Sequence, residues 1–145
     1  MQTFLPELTF EASASALDSR RLGKQRVETY QILRTLTGKS DSWKNHPAVK
    51  MWRGYEVALC AYGLVVCEEW RYNRGYKDTC WSKIYNIERE FDGQPYVTPL
   101  WYNSDLVESH RSNLIRKNPE FYKPKWPDTK ENLPYIWPIW GKIEK

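Results

Sequence analysis

The amino-acid sequence predicts a mainly α fold, a compact single-domain helical bundle packed around a buried central helix. Segments with apolar residues at helical spacing recur along the chain, whereas the alternating pattern of a half-buried strand is almost absent. The stretch from Val57 to Cys67 contains no charged residue, and a helix without a charged face is expected to be surrounded by neighbours. At 145 residues, the chain is most simply one domain.

Capping residues place the first two helices. Thr9 can cap a helix that begins at Phe10. Asp18 or Ser19 can cap a second helix, which is expected to stop at Gly38 because glycine commonly ends helices.

The central helix is expected to begin after Pro47, because proline suits the first helical position. It is predicted to run without interruption over about 48–72. A fourth helix is expected from a cap at Asp78 or Thr79 to about residue 91, and a fifth over about 104–117. With a short turn after it, these helices form a predicted body over about 9–122.

The last part of the chain, about 123–145, is rich in proline and tryptophan and cannot be a regular helix. We expect an irregular tail that wraps the helical body through its aromatic rings. The residues concerned are Pro124, Trp126, Pro127, Pro134, Trp137, Pro138 and Trp140.

Composition narrows the class of protein. A formal charge of +4 permits nucleic-acid binding without demanding it, and the 15% of aromatic residues can build a core or stack on bases. Cys60, Cys67 and Cys80 have no metal-type spacing with the two histidines, so neither a metal nor a cofactor is expected. The absence of a signal pattern and of a membrane-length apolar run favours a cytoplasmic protein, expected to be a monomer.

The helix after Asp18 carries the densest chemistry. Glu28 is the one carboxylate between Arg20 and Leu33, with Lys24 one turn and Arg21 two turns before it. Neighbouring cations favour the charged form of a carboxylate. Such a group could activate water, orient an amine or stabilise a sugar cation. A surface ion pair between residues four apart is the alternative interpretation.

Three other residues of the first half of the chain allow both a structural and a functional role. Arg26 falls inside the apolar stripe, so its guanidinium needs a carboxylate or carbonyl partner, or a ligand. Asn45 and His46 lie at the entrance of the central helix, where they could contact a ligand or simply cap and pack.

A second polar cluster lies on the fifth helix. His110, Asn113 and Lys117 share one face, and Arg111 lies beside it. Polar and basic side chains in this arrangement suit contact with phosphates, although a solvated helix looks partly similar.

Several catalytic patterns are missing. The sequence contains no glycine-rich phosphate loop, Walker motif, nucleophile elbow or carboxylate cluster for magnesium. Nucleotide-driven and two-metal chemistry are therefore disfavoured. What remains is metal-free acid–base or amine chemistry on an anionic partner, or binding alone.

Four features occur together in one order: a helix over 17–33, a glycine-containing loop, Lys44-Asn45-His46-Pro47, and a long helix to Arg74-Gly75-Tyr76. This order resembles the phage-type pyrimidine-dimer DNA glycosylases (endonuclease V) and their bacterial relatives. The run from Arg20 to Glu28 and the late Ser109-His110-Arg111-Ser112 are similar to a divergent bacterial-type branch. The resemblance covers the first half of the chain and, at branch level, 109–137.

The resemblance implies α-helical, metal-free enzymes that bind damaged duplex DNA, flip out a nucleotide and cleave its N-glycosidic bond. The nucleophile of the family is the amine of the N-terminal residue, which forms a Schiff base with the sugar, assisted by an Arg–Glu pair on a helix. An α-amino group suits this task because part of it is unprotonated at neutral pH.

Aligned on Leu17-Asp18, the family's carboxylate falls on Glu28 and its arginine on Val27, with Arg26 one place earlier. Alignment on the helix end moves the pair to Lys24-Gln25. Because Gln2 is bulky, Met1 is expected to be retained and to supply the amine. The resulting catalytic candidates are Met1, Arg21, Lys24, Gln25 and Glu28. The candidates for substrate or DNA binding are Arg20, Arg26, Asn45, His46, His110, Arg111, Asn113 and Lys117.

The sequence therefore predicts a metal-independent DNA glycosylase acting on a damaged or modified base in duplex DNA, with AP-lyase activity if the nucleophile is an amine. Two alternatives remain open. One is a non-catalytic nucleic-acid-binding module on the same scaffold. The other is a protein-interaction or small-ligand domain that uses the Trp/Pro-rich tail as its contact surface.

Overall fold

The computed structural model describes residues 1–138, in which helices are the regular structure and no strand occurs. The mainly α prediction is confirmed. The seven α-helices of this range are α1 (Phe10–Ala16), α2 (Ser19–Leu36), α3 (Pro47–Lys50), α4 (Glu56–Glu68), α5 (Trp81–Glu88), α6 (Ser104–Lys117) and α7 (Pro119–Tyr122). A π-helical turn (Glu69–Asn73) follows α4, and a 3₁₀ turn (Arg89–Phe91) follows α5.

The first two helices begin where their capping residues predict. The Thr9 hydroxyl accepts a hydrogen bond from the Ala12 N–H at 3.1 Å. The Asp18 carboxylate accepts one from the Arg21 N–H at 3.3 Å. Just past the end of α2, Gly38 has a φ of +78°, which glycine adopts without steric cost.

The prediction of an unbroken helix over 48–72 is wrong. The chain forms α3, leaves helical geometry around Gly54 at a φ of +91°, and resumes as α4. The Glu56 carboxylate accepts the Gly54 N–H at 2.9 Å, which stabilises the break. Between the two helices lies Trp52, whose ring is fully buried.

Helix α4 is the centre of the molecule, as the uncharged stretch predicts. It packs against α1, α2 and α5. Gly63 permits the close approach, because a Cβ at this position would lie 2.9 Å from Thr29 of α2 and 2.9 Å from Ile84 of α5. The helix that carries Glu28 is therefore held directly against the core.

The described part of the tail is irregular and covers the body with aromatic rings. Trp126 is buried, stacks on Tyr122 at a centroid distance of 5.5 Å and donates its indole N–H to Glu7 at 3.0 Å. Further along, Tyr135 stacks on His110 at 4.8 Å. The predicted tail continues to residue 145, but Trp140 and the rest of 139–145 lie outside the described residues.

The three cysteines are free and buried in the core. None of the described helices combines the length and apolar character needed to cross a membrane.

Candidate functional site

The N-terminal segment before α1 lies in the core, where the Gln25 side chain of α2 binds it. The Gln25 amide donates to the Gln2 carbonyl at 3.0 Å and accepts the Phe4 N–H at 2.9 Å. The buried Tyr62 hydroxyl lies 2.8 Å from the same Gln25 oxygen and 2.8 Å from the Phe4 carbonyl oxygen, so these two acceptors share its single proton. Because a glutamine amide has one donor side and one acceptor side, it pairs with this backbone much as a strand would.

Two further contacts hold the segment in place. The Trp52 indole donates to the Thr3 hydroxyl at 2.9 Å, and Nδ1 of His110 accepts the Leu5 N–H at 2.9 Å. The break between α3 and α4 leaves Trp52 in the connection, where its ring lies against the start of the chain. The first residue of the chain is thereby positioned by α2, α4, α6 and the α3–α4 connection.

Beside this segment lies an open cleft of about 380 Å³. It is lined by Met1, Gln2, Phe4, Arg20, Arg21, Lys24, Gln25, Glu28 and Lys117. All five catalytic candidates from the sequence, together with Arg20 and Lys117, are thus brought together.

The cleft is strongly cationic. Arg20, Lys24 and Glu28 are four residues apart on α2 and therefore share one face, and Lys117 faces them from the end of α6. Within residues 1–138, Arg20, Lys24 and Lys117 form no ion pair. Unpaired cations around one cleft are suited to binding phosphates.

Glu28 is the one carboxylate lining this cleft. Its Oε1 accepts the Gln2 N–H at 3.2 Å, so the carboxylate lies against the first peptide unit of the chain, and Met1 lines the same cleft. The nearby Asp18 is already engaged by Arg21 at 3.2 Å and by the Tyr122 hydroxyl. An amine and a carboxylate that line one cationic cleft can perform nucleophilic chemistry on an anionic substrate.

His46 lies outside the cleft lining but near its charged groups. Its Nδ1 accepts the Ala48 N–H at 3.0 Å and caps α3, which leaves Nε2 to carry the proton of the neutral ring. Burial lowers the pKa of His46, the positive charge of the Met1 amine lowers it further, and the Glu28 carboxylate raises it in part. His46 is therefore both a helix cap and an electrostatic neighbour of the site.

Arg26 points away from the cleft. Its guanidinium pairs with Asp78 at 2.5 Å and lies over the Trp70 ring at 4.6 Å. Burial raises the pKa of Asp78, but hydrogen bonds from Arg26, Trp81 and Cys80 lower it by more, so that it lies below its ordinary value. The placement matches the structural alternative for Arg26, an ion pair within the apolar stripe.

His110 does not reach the cleft either, because its side chain is fully buried. Burial lowers the pKa of His110 to about 3, so the ring is neutral at physiological pH. With Nδ1 bonded to Leu5, the proton lies on Nε2, which has no hydrogen-bond partner among the described residues. The contribution of His110 to the site is indirect, through the N-terminal segment.

Arg111 binds the protein itself. It donates to the Pro6 carbonyl at 2.6 Å, pairs with Glu7 at 2.7 Å and Glu108 at 3.2 Å, and lies over the Trp126 ring at 5.4 Å. These contacts tie α6 and the tail to the N-terminal segment.

The remaining two candidates lie outside the cleft lining. Asn113 is half-buried, and its Oδ1 lacks a hydrogen-bond partner within residues 1–138. Asn45 is exposed on the loop before α3.

Sequence reasoning missed the side chains that build the N-terminal part of the site. Gln2 and Phe4 line the cleft, and Tyr62, Thr3 and Trp52 fix their backbone. The available signal was the apolar Thr3-to-Pro6 run, which is too short for a helix and too apolar for a solvated terminus.

Within the described range, no three His, Cys, Asp or Glu side chains come together as metal ligands would.

A family model described as pyrimidine dimer DNA glycosylase matches residues 1–83, which is more than half of the 145-residue chain. The matched region contains every residue of the cleft lining except Lys117. Comparisons with curated proteins and with solved structures found no match.

Proposed function

The chain belongs to the pyrimidine dimer DNA glycosylase family, and on this premise we propose that it excises a damaged pyrimidine from duplex DNA through the amine of Met1. Family membership implies pyrimidine dimer DNA glycosylase activity and DNA as the substrate. The finer parts of the proposal are the amine nucleophile, the associated AP-lyase step, a reaction without metal or cofactor, and action as a cytoplasmic monomer.

One observation carries the proposal. The Glu28 carboxylate accepts the Gln2 N–H in a cleft whose other charged lining residues are cations. An isolated carboxylate in such a place would weaken phosphate binding, so its presence needs a chemical reason. Support of an amine nucleophile, and of positive charge that develops on the sugar, is such a reason.

In the proposed reaction, the lone pair of the Met1 nitrogen forms a bond to C1′ of the damaged nucleotide. The glycosidic C1′–N bond breaks, and its electron pair goes to the base nitrogen, which takes up a proton. In a pyrimidine dimer this base stays joined to the neighbouring pyrimidine. Loss of the proton from nitrogen and opening of the sugar ring at a protonated O4′ give a Schiff base. Removal of a C2′ proton then expels the 3′ phosphate, which is the lyase step.

The other cleft residues have distinct proposed roles. Arg20, Arg21, Lys24 and Lys117 bind the phosphates that flank the damaged nucleotide. Gln25 is a positioning residue, because all its contacts go to the N-terminal segment and to Tyr62. Glu28 accepts the amine proton and stabilises the sugar cation.

Covalent trapping tests this proposal. The protein is incubated with a duplex that carries a pyrimidine dimer or an abasic site, in the presence of EDTA and sodium borohydride, which reduces a Schiff base to a stable amine. We expect an adduct that peptide mapping places on Met1. A Gly-Ser extension ahead of Met1 should abolish it, because the extension converts the Met1 amine into a peptide nitrogen, while Lys24→Ala should keep it.

Each contrary result has a clear meaning. An adduct on Lys24 would refute the amine assignment and move the nucleophile. Base release without any adduct would show that water, rather than the amine, is the nucleophile. If the folded protein shows no base release and no trapping, the glycosylase activity is refuted.

A binding-only function is the second candidate, and one observation favours it. Of the two positions that could supply the arginine of the family's pair, Val27 carries no charge and Arg26 is bound to Asp78. The cleft would then hold DNA without acting on it. Salt-sensitive binding without trapping or base release, in the wild type and in Glu28→Gln alike, would identify this function.

A further inference from the structure

Trp43 is the one non-glycine residue of the described range with a positive φ, at +65°. Bulky side chains rarely adopt this left-handed conformation, because Cβ approaches the following carbonyl. The residue lies on the loop between α2 and α3, three positions before His46. A strained backbone of this kind persists only where the surroundings hold it in place.

Hydrogen bonds hold the loop on both sides of Trp43. The Thr35 hydroxyl, at the end of α2, donates to the Ser42 carbonyl at 2.7 Å. The His46 N–H donates to the Trp43 carbonyl at 2.8 Å. The turn is therefore anchored to α2 on one side and to the start of α3 on the other.

Burial of the indole does not offset this strain, since the Trp43 residue is 55% exposed. Scattered exposed aromatics are common on protein surfaces. Tyr96 is similarly exposed, at 51%, but its φ lies outside the positive range. Trp43 thus combines a backbone cost with an outward-facing ring.

The Trp43 ring packs beside His46, which lies near the charged groups of the cleft. It contacts the His46 ring edge-on at a centroid distance of 5.7 Å, and Trp137 contacts His46 at 5.9 Å. His46 is in turn close enough to feel the charges of the Met1 amine and Glu28. Trp43 is thus linked through the His46 ring to the charged groups of the cleft.

We propose that Trp43 is a stacking platform that receives a DNA base unstacked from the duplex beside the damaged nucleotide. The proposal rests on the function proposed above, because an enzyme that attacks C1′ must take a nucleotide out of the helical stack and leave a base without its neighbour. An exposed indole provides a π-face for such a base irrespective of sequence. The loop strain holds this face outward before DNA binds.

The test compares Trp43→Gly, Trp43→Phe and the matched control Tyr96→Ala. Binding is measured to a duplex with a non-cleavable abasic-site analogue and to the same duplex without damage, so that no chemistry is needed. Glycine adopts a positive φ without strain, so Trp43→Gly should melt at the same temperature as wild type or higher. It should nevertheless bind the damaged duplex about 5- to 100-fold more weakly, the range typical of one base–aromatic stack. Its affinity for undamaged DNA should not change.

Trp43→Phe should keep most of the preference for damage, and Tyr96→Ala all of it. If Trp43→Gly is poorly stable, Trp43→Asn replaces it, because asparagine also tolerates the left-handed region. 2-Aminopurine placed opposite or adjacent to the lesion identifies the strand that supplies the base. Stacking on wild-type Trp43 should quench its fluorescence at one of the two positions, and Trp43→Gly should restore it.

Equal damage preference in wild type and a folded Trp43→Gly variant, with unchanged 2-aminopurine fluorescence, would overturn the proposal. If the preference for damaged DNA depends on Trp43 in a protein that shows neither trapping nor base release, the stacking proposal stands. The glycosylase chemistry is then refuted instead. The two proposals can therefore fail separately.

Discussion

Residues four apart on α2 give this protein its cleft, and their neighbours attach the N-terminal segment to the core. Arg20, Lys24 and Glu28 face the cleft, whereas Gln25, in the turn between them, bonds to the backbone of Gln2 and Phe4. A single helix face thus positions the first residue and supplies the charge around it. Glu28 is the residue on which the proposed chemistry depends most directly.

Replacement of Glu28 by glutamine should separate chemistry from binding. The amide keeps the shape but cannot take a proton or stabilise a sugar cation, so single-turnover base excision should fall by about 100-fold or more. DNA affinity should stay equal or rise, because a negative charge is removed from a phosphate-binding cleft. Glu11→Gln, on the exposed face of α1, is the control and should change neither quantity. Full excision by Glu28→Gln would contradict the role assigned to this carboxylate.

At the scale of elements, close helix packing determines where the cleft-forming helix lies. Gly63 of α4 faces Thr29 of α2 and Ile84 of α5, and both neighbours are buried and β-branched. Such side chains have restricted χ1 rotamers and cannot easily move aside. Gly23 of α2 has an equally short contact, at 2.9 Å, but with the outer end of the half-buried Trp70 ring.

The two helical glycines therefore predict a graded response to alanine. Alanine favours a helix by about 1 kcal/mol over glycine, whereas overpacking a buried contact costs about 1–3 kcal/mol. Gly63→Ala should reduce the free energy of unfolding by up to about 2 kcal/mol. Gly23→Ala should lose less, because Trp70 can shift outward. Urea unfolding of the two variants measures the order, and a larger loss at Gly23 would show that α4 is not the tightly packed contact.

At the scale of the whole molecule, the first six residues join parts of the chain that are far apart in sequence. Their partners are on α2, on α4, in the α3–α4 connection and on α6. Arg111 and Trp126 extend the same network to Glu7. Any condition that charges a buried member of this network should loosen the site together with the fold.

Low pH is such a condition, because it protonates the buried His110. An unfolded histidine titrates near pH 6.5, whereas burial lowers the pKa of His110 to about 3 in the folded protein. Between these pH values the unfolded state binds one more proton than the folded state. The contribution of neutral His110 to stability is therefore fully present above about pH 6.5 and decreases as the pH falls towards 3, by up to about 1.4 kcal/mol per pH unit. The lowered pKa of His46 has the same sign.

His110→Asn should flatten this dependence, because asparagine can still accept the Leu5 N–H but does not titrate. Free energies of unfolding measured from pH 7 to 3 test the slope. The steeper loss below about pH 3.8 should remain in the variant, because Asp18 and Asp78 have lowered pKa values in the folded state. An unchanged slope from pH 6.5 to 4 would show that His110 is not the responsible group.

Local patterns determined much of this protein. The caps at Thr9 and Asp18, the uncharged core of α4 and the spacing of Arg20, Lys24 and Glu28 depend on residues within a few turns of one another. The sequence for this reason predicted the mainly α fold, the family and the helix that lines the cleft. The sequence also predicted Lys117 as a binding residue, and Lys117 lies at the end of α6.

Only the tertiary structure decided the partners of the other polar residues. Arg26 pairs with Asp78 across 52 residues, Leu5 donates to His110 across 105 and Arg111 pairs with Glu7 across 104. A guanidinium or imidazole has the same local pattern whether it meets a ligand or a distant part of its own chain. Trp52 likewise donates to Thr3 across 49 residues. The sequence therefore predicted the candidate residues on α2, whereas the packed fold decided which of the other candidates lie near them.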